Sequence, residues 1–334
     1  MMKKFLSFFT DIIILLLIVA AAADFSAEGA SEPKLQKIRI PDMYDPTCLY
    51  LPYIADSLGY FEEEGTKAVF TGVIPAGQHV AAVVAGTNDV GAMHINRTIV
   101  GIAGGAKLKV VVAEAETTKE FPHMEYIALE TSDIKDPNDL SGKRVGVTSV
   151  GGCNEYTPYE WLKKAVAIDD PRGKFEFVIV PPGNLEVALR TREVDVIGVH
   201  GHPYDIFERG GVKVVFDDYD VWANVGGAAP YYFREDFIKK NPDAVKAFVN
   251  AISRAAEWTN EHQQEARVFQ AKRLNLEPKQ VAVLYYVADG IIKPETVQMW
   301  ADLLLKYGEI KKPVDISRVY TNEFNKNARD KAQK

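Results

Sequence analysis

From Gln36 onward, apolar and polar positions fall into short runs of two kinds. Ile38 and Ile40 alternate with Lys37 and Arg39, the period of a half-buried strand. A loop over residues 41–46 leads into a helical spacing through Tyr53 and Leu58 that Gly59 stops. Residues 68–71 read as a second strand and 78–85 as a second helix. Residues 90–92 predict a short strand, 95–103 a helix, and 108–113 a Val-rich strand. Strands separated by helical spans predict βαβ units and a mainly parallel sheet.

The pattern restarts after Asp133. Residues 143–148 read as a strand, 154–166 as a helix and 175–180 as an apolar strand. A helical stretch over 185–190 and strands over 194–199 and 212–216 follow. Two similar series in succession predict two similar lobes. After Arg234 the spacing becomes helical throughout, over 243–258, 263–274, 278–287 and 294–307. Asn241-Pro242 and Glu277-Pro278 supply stops and prolines suited to the first helical position. The last dozen residues are highly charged and are expected to fray.

The amino terminus has a different grammar. Lys3 and Lys4 precede an unbroken apolar run over residues 12–23. That run falls short of the roughly 20 residues a bilayer-spanning helix needs. Ala21 and Ala23 place small residues just before Asp24, so residues 1–23 read as a secretory signal peptide. An uncleaved anchor is the rival, because Phe5, Phe8 and Phe9 lengthen the apolar segment around Asp11. No Cys follows the run, which argues against a lipoprotein anchor. The expectation is export to the periplasm.

Composition narrows the partners. The 334 residues suffice for two domains with a large core. Lys and Arg number 39 against 46 Asp and Glu, and this net charge of −7 argues against nucleic acid. With 47% hydrophobic and 25% charged residues, the chain is globular rather than disordered. Two cysteines can build neither a disulfide scaffold nor a four-thiolate metal site.

No enzyme motif is present: the run Gly146 to Gly151 has the wrong spacing for a nucleophile elbow, and no phosphate loop or H-E-x-x-H occurs. Missing motifs do not exclude an enzyme, since catalytic groups are recognised by geometry, and an exported enzyme using the cleft histidines stays the alternative; no catalytic residue and no cofactor is assigned. Ligands of open α/β sheets sit at the carboxyl ends of strands, beside helix N-termini. The corresponding loops hold Asp42, Met43, Tyr44 and Asp45; Pro75, Ala76, Gly77 and Gln78; and Met93, His94 and Asn96. In the second series they hold Ser149, Gly151, Gly152, Cys153 and Asn154, then His200, Gly201, His202 and Tyr204. His94, His200 and His202 each read alone as a half-exposed histidine with a satisfied hydrogen bond; together they suggest ligand contact. A zinc or copper site on these histidines and a thiolate is the sharper alternative. No tight ligand spacing favours it, so no metal is assigned. Cys48 and Cys153 read as small packing residues at helix starts, not as a disulfide that would lock two lobes. Tyr44, Tyr204 and Trp222 can flank a ligand or belong to the core.

Several phrases are similar to one family in order. They are Ala55 to Gly65 (ADSLGYFEEEG), Pro75-Ala76-Gly77-Gln78, and Gly86 to Gly91 (GTNDVG). Ile134 to Val147 (IKDPNDLSGKRVGV), Ala188 to Asp195 (ALRTREVD), and Phe237 to Pro242 with Val245 and Trp258 follow. This series resembles the periplasmic substrate-binding proteins of nitrate, sulfonate and taurine ABC importers, including their thiamine-pyrimidine relatives. The resemblance implies an α/β, two-lobed type II clamshell crossed twice by the chain. Lobe 1 would comprise residues 35–130 and 225–330, and lobe 2 residues 131–224. It implies capture of a small organic or oxyanionic nutrient, with a sulfonate-like one favoured, and delivery to a membrane permease and its ATPase. It implies no catalysis, no nucleic acid, and a monomer. Carried onto this chain, the ligand positions are Tyr44, Gln78, His94, Asn96, Ser149, Gly152, Cys153, Asn154, His200, His202, Tyr204 and Asn224. Apart from Arg97, no Arg or Lys sits squarely in most of these loops, which argues against a strongly anionic ligand. The cysteine-rich segment of related thiamine-pyrimidine-forming enzymes is missing, which counts against such an activity.

Overall fold

The computed structural model describes residues 35–332, so the expected leader over 1–23 lies outside the described residues. Its strands are β1 (Gln36–Asp42), β2 (Thr66–Val73), β3 (Val90–Ala92), β4 (Leu108–Glu116), β5 (Met124–Leu129) and β6 (Arg144–Val147). They continue with β7 (Glu176–Ile179), β8 (Val196–His200), β9 (Val212–Asp217), β10 (Ala229–Arg234) and β11 (Tyr285–Tyr286). The pair β1-β2 stands apart from a four-stranded sheet β11-β4-β10-β3 and a five-stranded sheet β7-β6-β8-β5-β9.

The alternation read in β1 is real: Ile38 and Ile40 are fully buried, and Ile38 pairs with Ala68 of β2 in parallel. The helix Leu51–Ser57 stops at Gly59, whose φ of 76° is left-handed and open at little cost only to glycine. Parallel pairing also joins β6 to β7 and β8. Elsewhere the expected parallel order gives way. β5 runs antiparallel to β8 and β9, and β10 runs antiparallel to β3 and β4. Both strands read in the sequence as connections, because residues such as Tyr126, Ile127, Tyr231, Tyr232 and Phe233 are buried on both faces and show no alternation. β5 thereby belongs to the second sheet, although the first lobe was expected to extend to residue 130.

The tail also differs from its reading. Helix Pro242–Glu261 lays Val245, Phe248, Val249 and Ile252 onto the core shared with Ile38, Val111 and Tyr231. The helix expected over 278–287 is instead a turn, Pro278–Gln280, followed by β11. Val281, Ala282, Val283 and Leu284 are all buried, so no polar face existed to make that segment helical. Helix Pro294–Lys306 does not cover the first lobe alone. Its Trp300 shares a core with Ile99 and Val110 and with Tyr126, Val145 and Phe216 of the second sheet. The charged end, expected to fray, continues as helix Lys326–Ala332.

The chain passes between the larger sheets at residues 117–123 and 218–228. Asp218, 1% exposed, binds the two passages together. Its carboxylate accepts from the Thr117 hydroxyl and from the Met124 N–H at 3.1 Å, while Thr117 Oγ1 accepts from the Gly227 N–H at 2.6 Å. Burial lifts the Asp218 carboxyl to a pKa of about 7.

Candidate functional site: the cavity between the sheets

A cavity of about 90 Å³ lies where the two larger sheets face each other. The loop after β1 brings Asp42, Met43, Tyr44, Asp45 and Cys48 to its wall. The loop after β3 brings Met93, His94 and Arg97, and the loop after β6 brings Thr148, Ser149, Gly152, Cys153 and Asn154. β8 ends in His200, β4 contributes Glu114, and the first passage contributes His123. The carboxyl ends of strands from both sheets thus converge, as open α/β architecture requires of a ligand cleft.

Seven of the residues expected at a site line this cavity: Tyr44, His94, Ser149, Gly152, Cys153, Asn154 and His200. Asn96 is buried directly behind them, its Oδ1 3.0 Å from His94 Nδ1. The other four lie elsewhere. Gln78 is exposed at the end of the turn Ala76–Gln78, and the buried His79 takes the place at the wall. Gly201, at φ 67°, turns the chain away after His200. His202 then pairs with Glu125 at 3.0 Å, and Tyr204 lies under the Arg267 guanidinium at 4.4 Å. Asn224 is exposed in the turn Ala223–Val225. The residues Asn96-Arg97-Thr98 read as a glycosylation sequon, but Asn96 and Thr98 are fully buried.

The sequence reading passed over His79, His123, Glu114 and Tyr50. Glu114 did carry a signal, as a lone carboxyl within the run Val110-Val111-Val112-Ala113 and Ala115 of a central strand. His123 carried none, since it sits in a connection between sheets.

Burial governs the chemistry of the wall. It raises Glu114 to about 8, while the Tyr231 hydroxyl donates to its Oε1. It lowers His94 to about 4 and His79 to about 4, and pulls His123 and His200 down as well. It pushes the Cys153 thiol up to about 12 and the Cys48 thiol well above its ordinary value. At neutral pH the imidazoles and thiols are therefore uncharged. Arg97 is the sole cation of the wall among the described residues. Its guanidinium reaches across from the first lobe to Ser149 Oγ at 3.2 Å and to the Val150 carbonyl. Cys153 Sγ stands 3.7 Å from His200 Nε2 and 3.6 Å from Asn154 Oδ1. One donor atom each from His94, His123 and Cys153 falls within 4.8 Å of the others.

A family model described as "NMT1/THI5 like" matches residues 50–266. The chain belongs to that family. Among curated relatives, the 4-amino-5-hydroxymethyl-2-methylpyrimidine phosphate synthase of Schizosaccharomyces pombe is 26% identical over 238 residues. That match covers 66% of this chain and 64% of the synthase, so less than two thirds of the relative is spanned. Among solved structures, the periplasmic aliphatic sulphonate binding protein SsuA of Escherichia coli superposes with a TM-score of 0.67 at 22% identity. It covers 86% of this chain and 99% of SsuA. The periplasmic nitrate-binding protein NrtA of Synechocystis PCC 6803 gives 0.71 at 14% identity, covering 90% and 89%. The fold of this NMT1/THI5-like chain is therefore the two-lobed type II clamshell of periplasmic binding proteins. The family resemblance read from the sequence is borne out, and both a synthase and binding proteins lie within its reach.

Proposed function

We propose that the chain is an exported solute-binding protein that captures a small organic or oxyanionic nutrient, sulfonate-like in its head group. It hands this solute, as a periplasmic monomer, to the membrane permease of an ABC importer and its ATPase. The observation that carries the reading is the cavity walled by both sheets and spanned by Arg97 from one lobe to Ser149 and Val150 of the other. A head group with acceptor oxygens finds donors there in Arg97, Ser149 and Asn154, beside the start of helix Cys153–Ala165, which no side chain caps. Closure about the two passages would complete the contacts.

One observation favours an enzyme instead, namely the Cys153–His200 pair at 3.7 Å, together with the synthase among the relatives. A cysteine nucleophile works as the thiolate, and a thiol held near 12 supplies almost none at neutral pH. The binding reading is therefore preferred. Thermal denaturation with an alkanesulfonate, nitrate and an aminopyrimidine separates the two. A true solute at 100 times its Kd adds about 2.7 kcal/mol of stability without product. Turnover of any of them, with no stabilisation, would overturn the reading. Intact mass of periplasmic material is expected to show a chain beginning at Asp24.

A further inference from the structure

We infer that His94, His123 and Cys153 form a transition-metal site in the cavity, with His200 as the fourth ligand, suited to zinc(II). The inference stands independently of the solute's identity. Three buried donor atoms from three separate segments lie within 4.8 Å of one another: the loop after β3, the first passage between sheets, and the start of helix Cys153–Ala165. Two imidazoles and one thiolate are a donor set that zinc takes readily.

Distances agree with tetrahedral coordination. Zinc bonds of about 2.3 Å to sulfur and about 2.0–2.1 Å to nitrogen put neighbouring N and S donors about 3.6 Å apart. Cys153 Sγ and His200 Nε2 already stand at 3.7 Å. The distances among His94, His123 and Cys153 need draw in by only about 1 Å from their 4.8 Å limit, which side-chain rotation supplies, while His200 lies further from the two histidines and must swing toward them.

One buried ring nitrogen there has no protein partner, and a second imidazole has an acceptor against each of its nitrogens. His123 is 3% exposed, lines the cavity, and its Nδ1 has no hydrogen-bond partner. His94 faces two acceptors, Asn96 Oδ1 at 3.0 Å and the Gly226 carbonyl at 3.2 Å. A neutral imidazole has a single N–H to give. Asn96 Oδ1 also accepts from the Arg97 N–H at 3.0 Å, which fixes it as the oxygen and places the imidazole proton on Nδ1. Nε2 then has no proton to give the Gly226 carbonyl 3.2 Å away, and its lone pair is the one a metal would take once that carbonyl moves aside. Asn96 plays the part of the outer partner that orients a ligating histidine.

Binding balances simply. Zinc(II) adds to the Cys153 thiol and the neutral imidazoles, one Zn–S bond forms, one S–H bond breaks, and one proton leaves to the buffer. No electron moves.

The test uses the chelator-treated full chain. Zinc titration in buffers of different ionisation enthalpy is expected to give one zinc per chain and about one proton released. Cobalt(II) is expected to give a thiolate-to-metal absorption in the near ultraviolet. Cys153→Ser, which conserves volume, is expected to abolish that absorption and weaken zinc roughly 100-fold, given the free energy a structural zinc draws from each ligand. His123→Ala is expected to weaken zinc comparably, and His262→Ala to change nothing. Absence of zinc uptake, a cobalt spectrum without the thiolate band, or uptake unchanged in Cys153→Ser would each overturn the site. Solute-dependent stabilisation measured on the same chelated protein reports separately on the solute-binding reading.

Discussion

Asp218→Asn is expected to make the protein more stable above neutral pH. The carboxyl of Asp218 is 1% exposed, and burial raises it from 3.8 to about 7. A raised carboxyl makes the folded protein take up a proton that the unfolded chain lacks at the same pH. Its contribution to stability is complete below pH 3.8, declines through the window up to about 7, and is gone above it. At about 1.36 kcal/mol per pH unit, the full difference comes to about 4 kcal/mol. Asn has nearly the same shape, its Oδ1 can accept from the Met124 N–H, and its amide can donate to Thr117 Oγ1. It carries no charge to bury. Urea denaturation of both proteins between pH 4 and 9 checks this. The stability difference, variant minus wild type, is expected to rise with pH across that window and level off near 7, gaining up to about 4 kcal/mol. A difference that stays constant with pH, or a variant losing ground as pH rises, would refute the assignment of Asp218 as a carboxyl desolvated between the lobes.

Four further outcomes are expected. Replacing His200 or Asn154 by Ala removes wall contacts of about 0.5–1.5 kcal/mol each and should weaken solute binding roughly 2- to 12-fold by calorimetry, more where the contact is charge-assisted. His262→Ala should leave binding alone, because that ring stacks on Trp258 at 4.7 Å and does not line the cavity. Gly91→Ala would set a methyl 2.1 Å from the Tyr232 ring, between β3 and β10, and should lower the melting temperature sharply, as circular dichroism would register. Cys48 and Cys153 are both buried and unpaired, so a thiol reagent should find none in the native protein and two after unfolding.

Local pattern alone determined much of this protein. Alternation at Ile38 and Ile40, the stop at Gly59 and the apolar spacing of Ile95–Ala103 define elements whose form depends on neighbours a few residues away. The ordered phrases through Ile134 to Val147 sufficed to point to the clamshell family. The same loops at strand ends supplied Tyr44, His94, Ser149, Cys153, Asn154 and His200 to one cavity, since strand direction fixes where such loops gather.

What the sequence left open depends on contacts between distant residues. β5 and β10 are invisible as strands because both their faces are buried and no polar alternation remains, and only pairing partners reveal their antiparallel sense. His123 joins His94 and Cys153 because the first passage between sheets runs past the cavity, and nothing near position 123 encodes that course. Burial, not residue type, sets Glu114 near 8 and His94 near 4, and burial is a property of the assembled fold. His202 follows His200 by two residues, yet the left-handed turn at Gly201 sends it to Glu125 instead of the cavity. Short-range sterics and hydrophobic period chose the elements; long-range packing decided which side chains share a dry, confined space.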